Sequence, residues 1–373
     1  MKIAVTGCNG LLGWHTCARL HAVNCAAAFA GNPKPHSIVR VDRQAFEDPD
    51  TLSTLLEDVD AIIHFAGVNR GPENEVEQAN PAIAENLVSA CRAAKAKPTI
   101  VYANSTHAAT DTPYGRSKRK AGEILSSFAT NYVDLVLPHI FGECARPYYN
   151  NVTATLIDKI LAGDSPDINP DGRVHLLHAG AAADIAIDAA INGESKTLNP
   201  DSTKLSIQAL FDKLTEFHTL YSKNIFPRTD TPFELQLFNS YRTAGYPSRY
   251  PSEMTLNKDV RGTLFEAAKG GCGSQTFVSS TAPGVTRGDH FHLDKIERFL
   301  VVKGEAVIRL RKVLTNEIVE FAVSGDKPVA IDMIPLHTHS IENTGNEDLF
   351  TLFWTHEMFD PQAPDTYADP VLS

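Results

Sequence analysis

Long apolar runs are missing from this 373-residue chain. No stretch reaches the roughly 18 residues needed to span a bilayer, so membrane insertion is not expected. A basic surplus is missing as well: 34 Lys and Arg stand against 45 Asp and Glu, a formal net charge of −11. Proteins that track nucleic-acid phosphates carry the opposite balance, which argues against a nucleic-acid partner. The six cysteines, at 8, 17, 25, 91, 144 and 272, contain no C-x-x-C pair, so neither a zinc ribbon nor a redox motif is expected. The N-terminus opens on an apolar strand, Lys2-Ile3-Ala4-Val5, with no signal-peptide pattern. These absences together point to a reduced, soluble, cytoplasmic protein. Internal repeats and low-complexity segments are also lacking. What remains is ordinary globular material, 43% apolar and 21% charged, which excludes a disordered, collagen-like or coiled-coil chain. The length suits two or three domains.

The first half alternates strand-like and helix-like stretches. Residues 3–6, 37–41, 61–65, 99–103 and 133–137 read as strands. Helical stretches run from the first glycine turn to about residue 22, over 82–94 and over 117–129. This alternation predicts a doubly wound, Rossmann-like parallel sheet. The texture changes near residue 245, where Tyr246-Pro247-Ser248-Arg249-Tyr250-Pro251 reads as a linker. Beyond it, short β-rich runs at 275–279, 298–302, 306–311, 318–323, 329–333 and 349–354 predict a sandwich or small barrel. The expected domains are therefore 1–245 and 252–373.

Two constellations carry chemistry in the first domain. Thr6-Gly7-Cys8-Asn9-Gly10-Leu11-Leu12-Gly13 sits between the first strand and the first helix. Glycines there allow a tight turn and close backbone approach, and the helix N-terminus offers free N–H groups to a pyrophosphate. At the end of the second strand, Asp42 suits the ribose of NAD and Arg43 the extra phosphate of NADP, so the two residues point in opposite directions. Tyr114 and Lys118 fall four apart on one helix face. A neighbouring ammonium lowers a phenol pKa, which would make Tyr114 a proton donor for carbonyl reduction. Ser105, at the end of a predicted strand, is placed to hydrogen-bond the substrate oxygen.

Residues 1–245 resemble the extended short-chain dehydrogenase/reductases, whose members act on nucleotide sugars. Gly7, Gly10 and Gly13 match that family's glycine motif, and Ser105, Tyr114 and Lys118 its Ser-Tyr-Lys triad. The resemblance implies a cofactor site built from Gly7, Asn9, Gly10, Leu11, Gly13, Arg43, Phe65, Ala66, Gly67, Tyr114 and Lys118. It implies NADPH, with NADH as the alternative. The gap from Ser105 to Tyr114 is shorter than is usual in the family. Val136 and His139 also replace an Arg and an Asn of its sugar-contacting segment.

In the second domain, His290 and His292 fall on one face of a strand, Glu297 follows, and His337 and His339 come about forty residues later. Three histidines and a carboxylate suit a divalent metal such as zinc. The spacing resembles the two cupin motifs, with His290, His292, Glu297 and Gly304 in the first and His339 and Asn343 in the second. His337 stands open as an extra ligand, a base or a surface residue.

A reductase of this kind fused to a C-terminal cupin resembles the bifunctional enzymes of capsular-polysaccharide synthesis. Among the supporting stretches are residues 64–70, Arg261-Gly262 and Pro364-Asp365-Thr366-Tyr367. That resemblance implies a UDP-activated 4-keto-6-deoxy amino sugar as substrate. It further implies epimerisation at carbon 3 by the cupin, reduction at carbon 4 by the first domain, and a homodimer. The rival readings are a reductase with a purely structural cupin and a non-catalytic cofactor-sensing scaffold.

Overall fold

The computed structural model describes residues 1–260, 262–270 and 274–372, so Arg261 and Cys272 lie outside the described residues. The chain divides into two compact units. One comprises Met1–Val152 with Asp171–Ser206, the other Thr153–Pro170 with Ile207–Ser373.

In the first unit the strands are β1 (Lys2–Thr6), β2 (Ser37–Val41), β3 (Ala61–His64), β4 (Thr99–Ser105), β5 (Tyr132–Leu137), β6 (His139–Phe141), β7 (Arg173–His178), β8 (Lys196–Leu198) and β9 (Thr203–Ser206). Six of them form one parallel sheet in the order β2-β1-β3-β4-β5-β8. The order reverses at β1, and ligands of such sheets bind at the carboxyl ends of the strands beside that reversal. The helices are α1 (Leu11–Phe29), α2 (Pro49–Leu55), α3 (Glu73–Ala93), α4 (Pro113–Phe128), α5 (Val152–Ala162) and α6 (Ala179–Asn192). α5 falls in the second unit apart from its first residue. Strands with apolar side chains on both faces pack against α2, α3 and α4 through Ile62, Leu87, Ile100 and Leu125, all fully buried. α3 starts nine residues before the expected helix. Pro81 lies inside α3, and Val76 and Asn80 ahead of it are already buried.

The second unit begins with α7 (Ile207–Tyr221) and α8 (Pro232–Ala244). Short strands follow: β10 (Ile225–Phe226), β11 (Ser252–Glu253), β12 (Asn257–Asp259), β13 (Gly262–Leu264) and β14 (Lys269–Gly270). Then come β15 (Gln275–Thr281), β16 (Thr286–Phe291), β17 (Glu297–Lys303), β18 (Glu305–Lys312), β19 (Ile318–Ser324), β20 (Val329–Met333), β21 (His337–Asn343), β22 (Leu349–Thr355) and β23 (Tyr367–Ala368). Two five-stranded antiparallel sheets, β11-β20-β17-β22-β15 and β19-β18-β21-β16-β23, enclose a core that includes Phe299, Ile308, Leu310, Ile331 and Ile341. Tyr246 and Tyr250, read as linker, pack against this core instead, since each ring removes a large apolar surface from water.

Behind β17 and β20, the Arg298 guanidinium meets Asp332 through two bonds of 2.6 and 2.8 Å, both side chains fully buried. The Tyr221 hydroxyl of α7 donates to the same carboxylate. α8 is tied in by Arg242, which donates to the Met333 carbonyl at 3.0 Å.

Candidate functional site

The glycine loop is built around close approaches. Gly7 has φ +66°, and a Cβ there would lie 2.9 Å from Ala66 N. A Cβ on Gly13 would lie 2.2 Å from the Gly7 carbonyl oxygen. Only glycine permits α1 to start this close to β1. Gly10 caps α1 with no side-chain bond, so its first-turn N–H groups stay open to an anion. Phe65, Ala66 and Gly67 are held beside Gly7 because Thr6 Oγ1 accepts from Ala66 N at 3.1 Å. This cradle fits a dinucleotide pyrophosphate.

At the end of β2, Asp42 accepts from Ala45 N at 3.1 Å and so caps a short turn. The Arg43 side chain is 95% exposed, with Glu47 3.7 Å away as its ion-pair partner. Arg40, which sequence reasoning passed over, donates to Asn9 Oδ1 at 3.0 Å and so stands at the mouth of the loop. Its only sequence signal is position, at the C-terminal end of β2.

Ser105 ends β4, and Tyr114 lies in the first turn of α4, capped by Thr112 through Gly115 N at 3.1 Å. The short gap between them closes because α4 presses onto the 107–110 segment. A Cβ on Gly115 would lie 2.4 Å from the His107 carbonyl oxygen, and Arg119 donates to the Thr110 carbonyl at 2.8 Å. Ser105 stands close enough to Tyr114 to favour its phenolate.

Lys118 is fully buried one turn on. It donates to the Ala103 carbonyl at 2.6 Å and lies 4.1 Å over the Tyr102 ring. Burial pulls its pKa down from 10.5 to about 7, with Asp134 opposing. The expectation of a lowered Tyr114 phenol is corrected here. Burial raises it above 10, Ser105 works the other way, and the Lys118 ammonium is spent on Ala103. His107 lies near, with ring centroids 6.2 Å apart. His139 Nε2 is buried without a hydrogen-bond partner.

Asn80 was missed altogether. Buried in α3, it donates to Ser117 Oγ of α4 and to the Val68 carbonyl, both at 2.9 Å, and accepts from Val68 N. It thus ties the 66–68 loop to the helix that carries Tyr114 and Lys118. Nothing in its spacing signalled this.

In the barrel, His290, His292, Glu297 and His339 bring their ligand atoms within 4.8 Å of one another. A bulge places them. Gly288, at φ +100°, pairs with Ser340 while His290 pairs with His339, so Asp289 is extra. A Cβ on Gly288 would lie 2.7 Å from the His339 carbonyl oxygen. His292 Nε2 and His339 Nε2 lie 3.2 and 3.5 Å from Glu297 Oε2. His292 Nδ1 donates to the Asp365 carbonyl at 2.5 Å, which turns Nε2 toward Glu297. Burial drives His290 down to about 3 and also lowers His339. Glu297 opposes its own burial through His292 and stays ionised. Glu297 and Asp365 hold His292 up against its burial, so a cation would displace its Nε2 proton. Three imidazoles, an ionised carboxylate and a His339 Nε2 that is buried with no hydrogen-bond partner fit a divalent cation.

His337 is not among these ligands. Its Nδ1 donates to the Pro335 carbonyl at 2.9 Å, and its ring packs against Tyr246, so it is a buried structural side chain rather than a surface residue. A pocket of about 370 Å3 opens over the cluster, lined also by Lys295, Phe277, Glu357 and Thr366.

A second cluster, His15, Glu143 and His178, is fully buried in the first unit. His178 Nδ1 accepts from Gly180 N at 3.2 Å, so its proton sits on Nε2 and goes to Glu143 at 2.8 Å. That tautomer has no lone pair for a cation, and the group is a hydrogen-bond network rather than a metal site.

Residues 3–197 match the model of the NAD dependent epimerase/dehydratase family, and residues 257–367 that of the polysaccharide biosynthesis C-terminal domain. The chain is 30% identical to a Pseudomonas aeruginosa protein named UDP-2-acetamido-2,6-beta-L-arabino-hexul-4-ose reductase, over 99% of this chain and 98% of that one. It is 31% identical to the solved structure of the capsular polysaccharide assembling protein CapF from Staphylococcus aureus, with 100% of both chains covered and a TM-score of 0.56. The Bordetella bronchiseptica enzyme WbmH, solved with NAD+, shares 15% identity over 66% of this chain and 98% of its own, with a TM-score of 0.52, and is alike in fold only. Among the described residues no helix is long and apolar enough to cross a membrane. The glycine cradle at the β1 switch point, the Tyr114–Lys118 helix turn and these full-length matches agree: the chain belongs to the NAD-dependent epimerase/dehydratase family, in the form that carries a polysaccharide biosynthesis C-terminal domain.

Proposed function

We propose that the chain is a two-activity nucleotide-sugar enzyme. Its barrel epimerises carbon 3 of a UDP-2-acetamido-2,6-dideoxy-4-hexulose, and its N-terminal unit reduces the carbon 4 ketone with NADPH. The observation that carries this reading is the full-length match to a named UDP-hexulose reductase, in a chain whose two units each present a chemically equipped site. The order of events follows from carbonyl chemistry. A 4-ketone acidifies the neighbouring C–H bond, so epimerisation precedes the reduction that removes the ketone.

When bound, the nicotinamide supplies a hydride and a divalent metal polarises the ketone or braces the barrel. In the first unit, Tyr114 delivers the proton to the carbonyl oxygen, and Ser105, beside Tyr114, orients that oxygen. Lys118, with its pKa near 7, stands one turn away to restore the phenol proton. Gly7, Gly10 and Gly13 hold the pyrophosphate, and Arg43, nearly free in solvent, is placed to meet the 2′-phosphate of NADPH. In the second unit, His290, His292, Glu297 and His339 hold the metal, zinc being the best fit to their donor set. The same reading includes a homodimer, which sedimentation would show at twice the chain mass.

The test is to incubate the protein with the 4-keto UDP-sugar and NADPH and to identify the product by NMR. The 6-deoxy-L-talose configuration is expected. Consumption of NADPH without inversion at carbon 3 leaves only a reductase, and no consumption at all removes the proposal.

A further inference from the structure

The segment Pro364-Asp365-Thr366-Tyr367 has a role that the metal cluster itself does not show. Asp365 has φ +40°, a left-handed conformation that non-glycine residues rarely adopt. Its carboxylate accepts three successive backbone N–H groups: Leu293 N on Oδ1 at 2.8 Å, and Asp294 N and Lys295 N on Oδ2 at 2.9 and 2.7 Å. Its own carbonyl, 2.5 Å from His292 Nδ1, is the acceptor that orients that ring. The Lys295 ammonium returns to the Pro364 carbonyl at 2.6 Å. Immediately downstream, β23 pairs with β16, Tyr367 opposite Phe291 and Ala368 opposite His290. The C-terminal segment is therefore fastened on both sides of His292.

We propose that Asp365 is a positioning residue for the metal centre, which rests on the metal reading above. Its carboxylate locks the 293–295 turn so that its carbonyl anchors the His292 Nδ1–H and aims Nε2 at the cation. A carbonyl accepts only, so Nδ1 keeps its proton and Nε2, which faces Glu297, is the nitrogen left to exchange its proton for the cation. Outer partners of this kind typically change metal affinity by about 10–100-fold when lost.

The experiment uses the full chain, zinc alone as ligand and a competing zinc dye as readout, with 15N NMR of solvent exchange at the His292 Nδ1–H. Asp365→Gly is the decisive variant, since glycine keeps the left-handed turn without strain and removes only the carboxylate. Zinc affinity should fall by about 10–100-fold, with the His292 Nδ1–H losing its protection from solvent exchange. Asp365→Asn should also fall, because in either orientation its NH2 would face at least one N–H donor. Arg311→Ala loosens the tail farther on, at the Asp369 ion pair of 2.8 Å, and should leave affinity within about threefold.

Wild-type zinc affinity in Asp365→Gly, or an equal loss in Arg311→Ala, overturns the proposal. So does an equally protected His292 Nδ1–H in Asp365→Gly, a result that holds whether or not zinc binds. Wild-type protein that binds no zinc removes the metal reading and this role together, whereas zinc bound by wild type and variant alike removes this role alone.

Discussion

Lys118 shows how far function departs from stability at one residue. An ammonium with no carboxylate in hydrogen-bonding contact, buried against Tyr102 and Ala103, is pulled down to about 7. The unfolded chain binds that proton up to about 10.5 and the folded one does not, so stability should rise as pH climbs from about 7 toward 10.5. Lys118→Met should lack that rise and, after losing the Ala103 bond, should be more stable at pH 7 by about 1–3 kcal/mol. Its reductase rate should drop by at least about 100-fold. Urea melts at pH 7 and 9.5 beside NADPH consumption check this, and a Lys118→Met less stable than wild type at pH 7 refutes it.

Arg43 supplies the other residue-scale case. A charge-assisted contact to the 2′-phosphate contributes roughly 1.5–3 kcal/mol, so Arg43→Ala should weaken NADPH about 10- to 100-fold and NADH far less. Cofactor titration by fluorescence reads this. Equal losses for both would show that Asp42 and Arg40 govern the choice.

At the scale of elements, the second unit depends on a buried ion pair between its strands. Arg298 of β17 and Asp332 of β20 have no water to fall back on, and Tyr221 of α7 adds its hydroxyl to the same carboxylate. Burial would raise Asp332, yet Arg298 holds it below the usual carboxylate range. Removing one partner leaves a stranded charge, so Arg298→Met should cost about 3–5 kcal/mol. Arg298→Met combined with Asp332→Leu should recover most of the loss, because the pair's attraction mainly offsets its own desolvation. Thermal melts of the three proteins test this. A double variant as unstable as the single one would mean that the contacts to Tyr221 and the neighbouring loop dominate.

For the whole molecule, the division of labour predicts separable proton movements. Epimerisation removes the carbon 3 proton and returns one from solvent, so in heavy water the 4-keto sugar should gain deuterium without NADPH. Tyr114→Phe should stop NADPH consumption and leave exchange intact, whereas His290→Ala should slow exchange and keep cofactor binding. NMR of the sugar with each protein reads both activities. A folded Tyr114→Phe that no longer exchanges would place the epimerase chemistry in the first unit and end the proposed division.

Local pattern was enough for much of this protein. Five of the parallel strands, the glycine loop, the Tyr114–Lys118 face and the His-x-His pair are set by the alternation of side chains and by backbone freedom, which act within a few residues. Tertiary structure decided the rest. Asn80 became a brace only because α3 and α4 meet beside the 66–68 loop. The lysine's pull on Tyr114 was overruled by burial, which no spacing reports. Tyr246 and Tyr250 left the linker for the barrel core because aromatic surface is driven from water wherever packing provides room. His337 and His339 sit two residues apart on one strand with identical chemistry. Only the surroundings separate them, a carbonyl and the Tyr246 ring for the first, Glu297 and two facing imidazoles for the second.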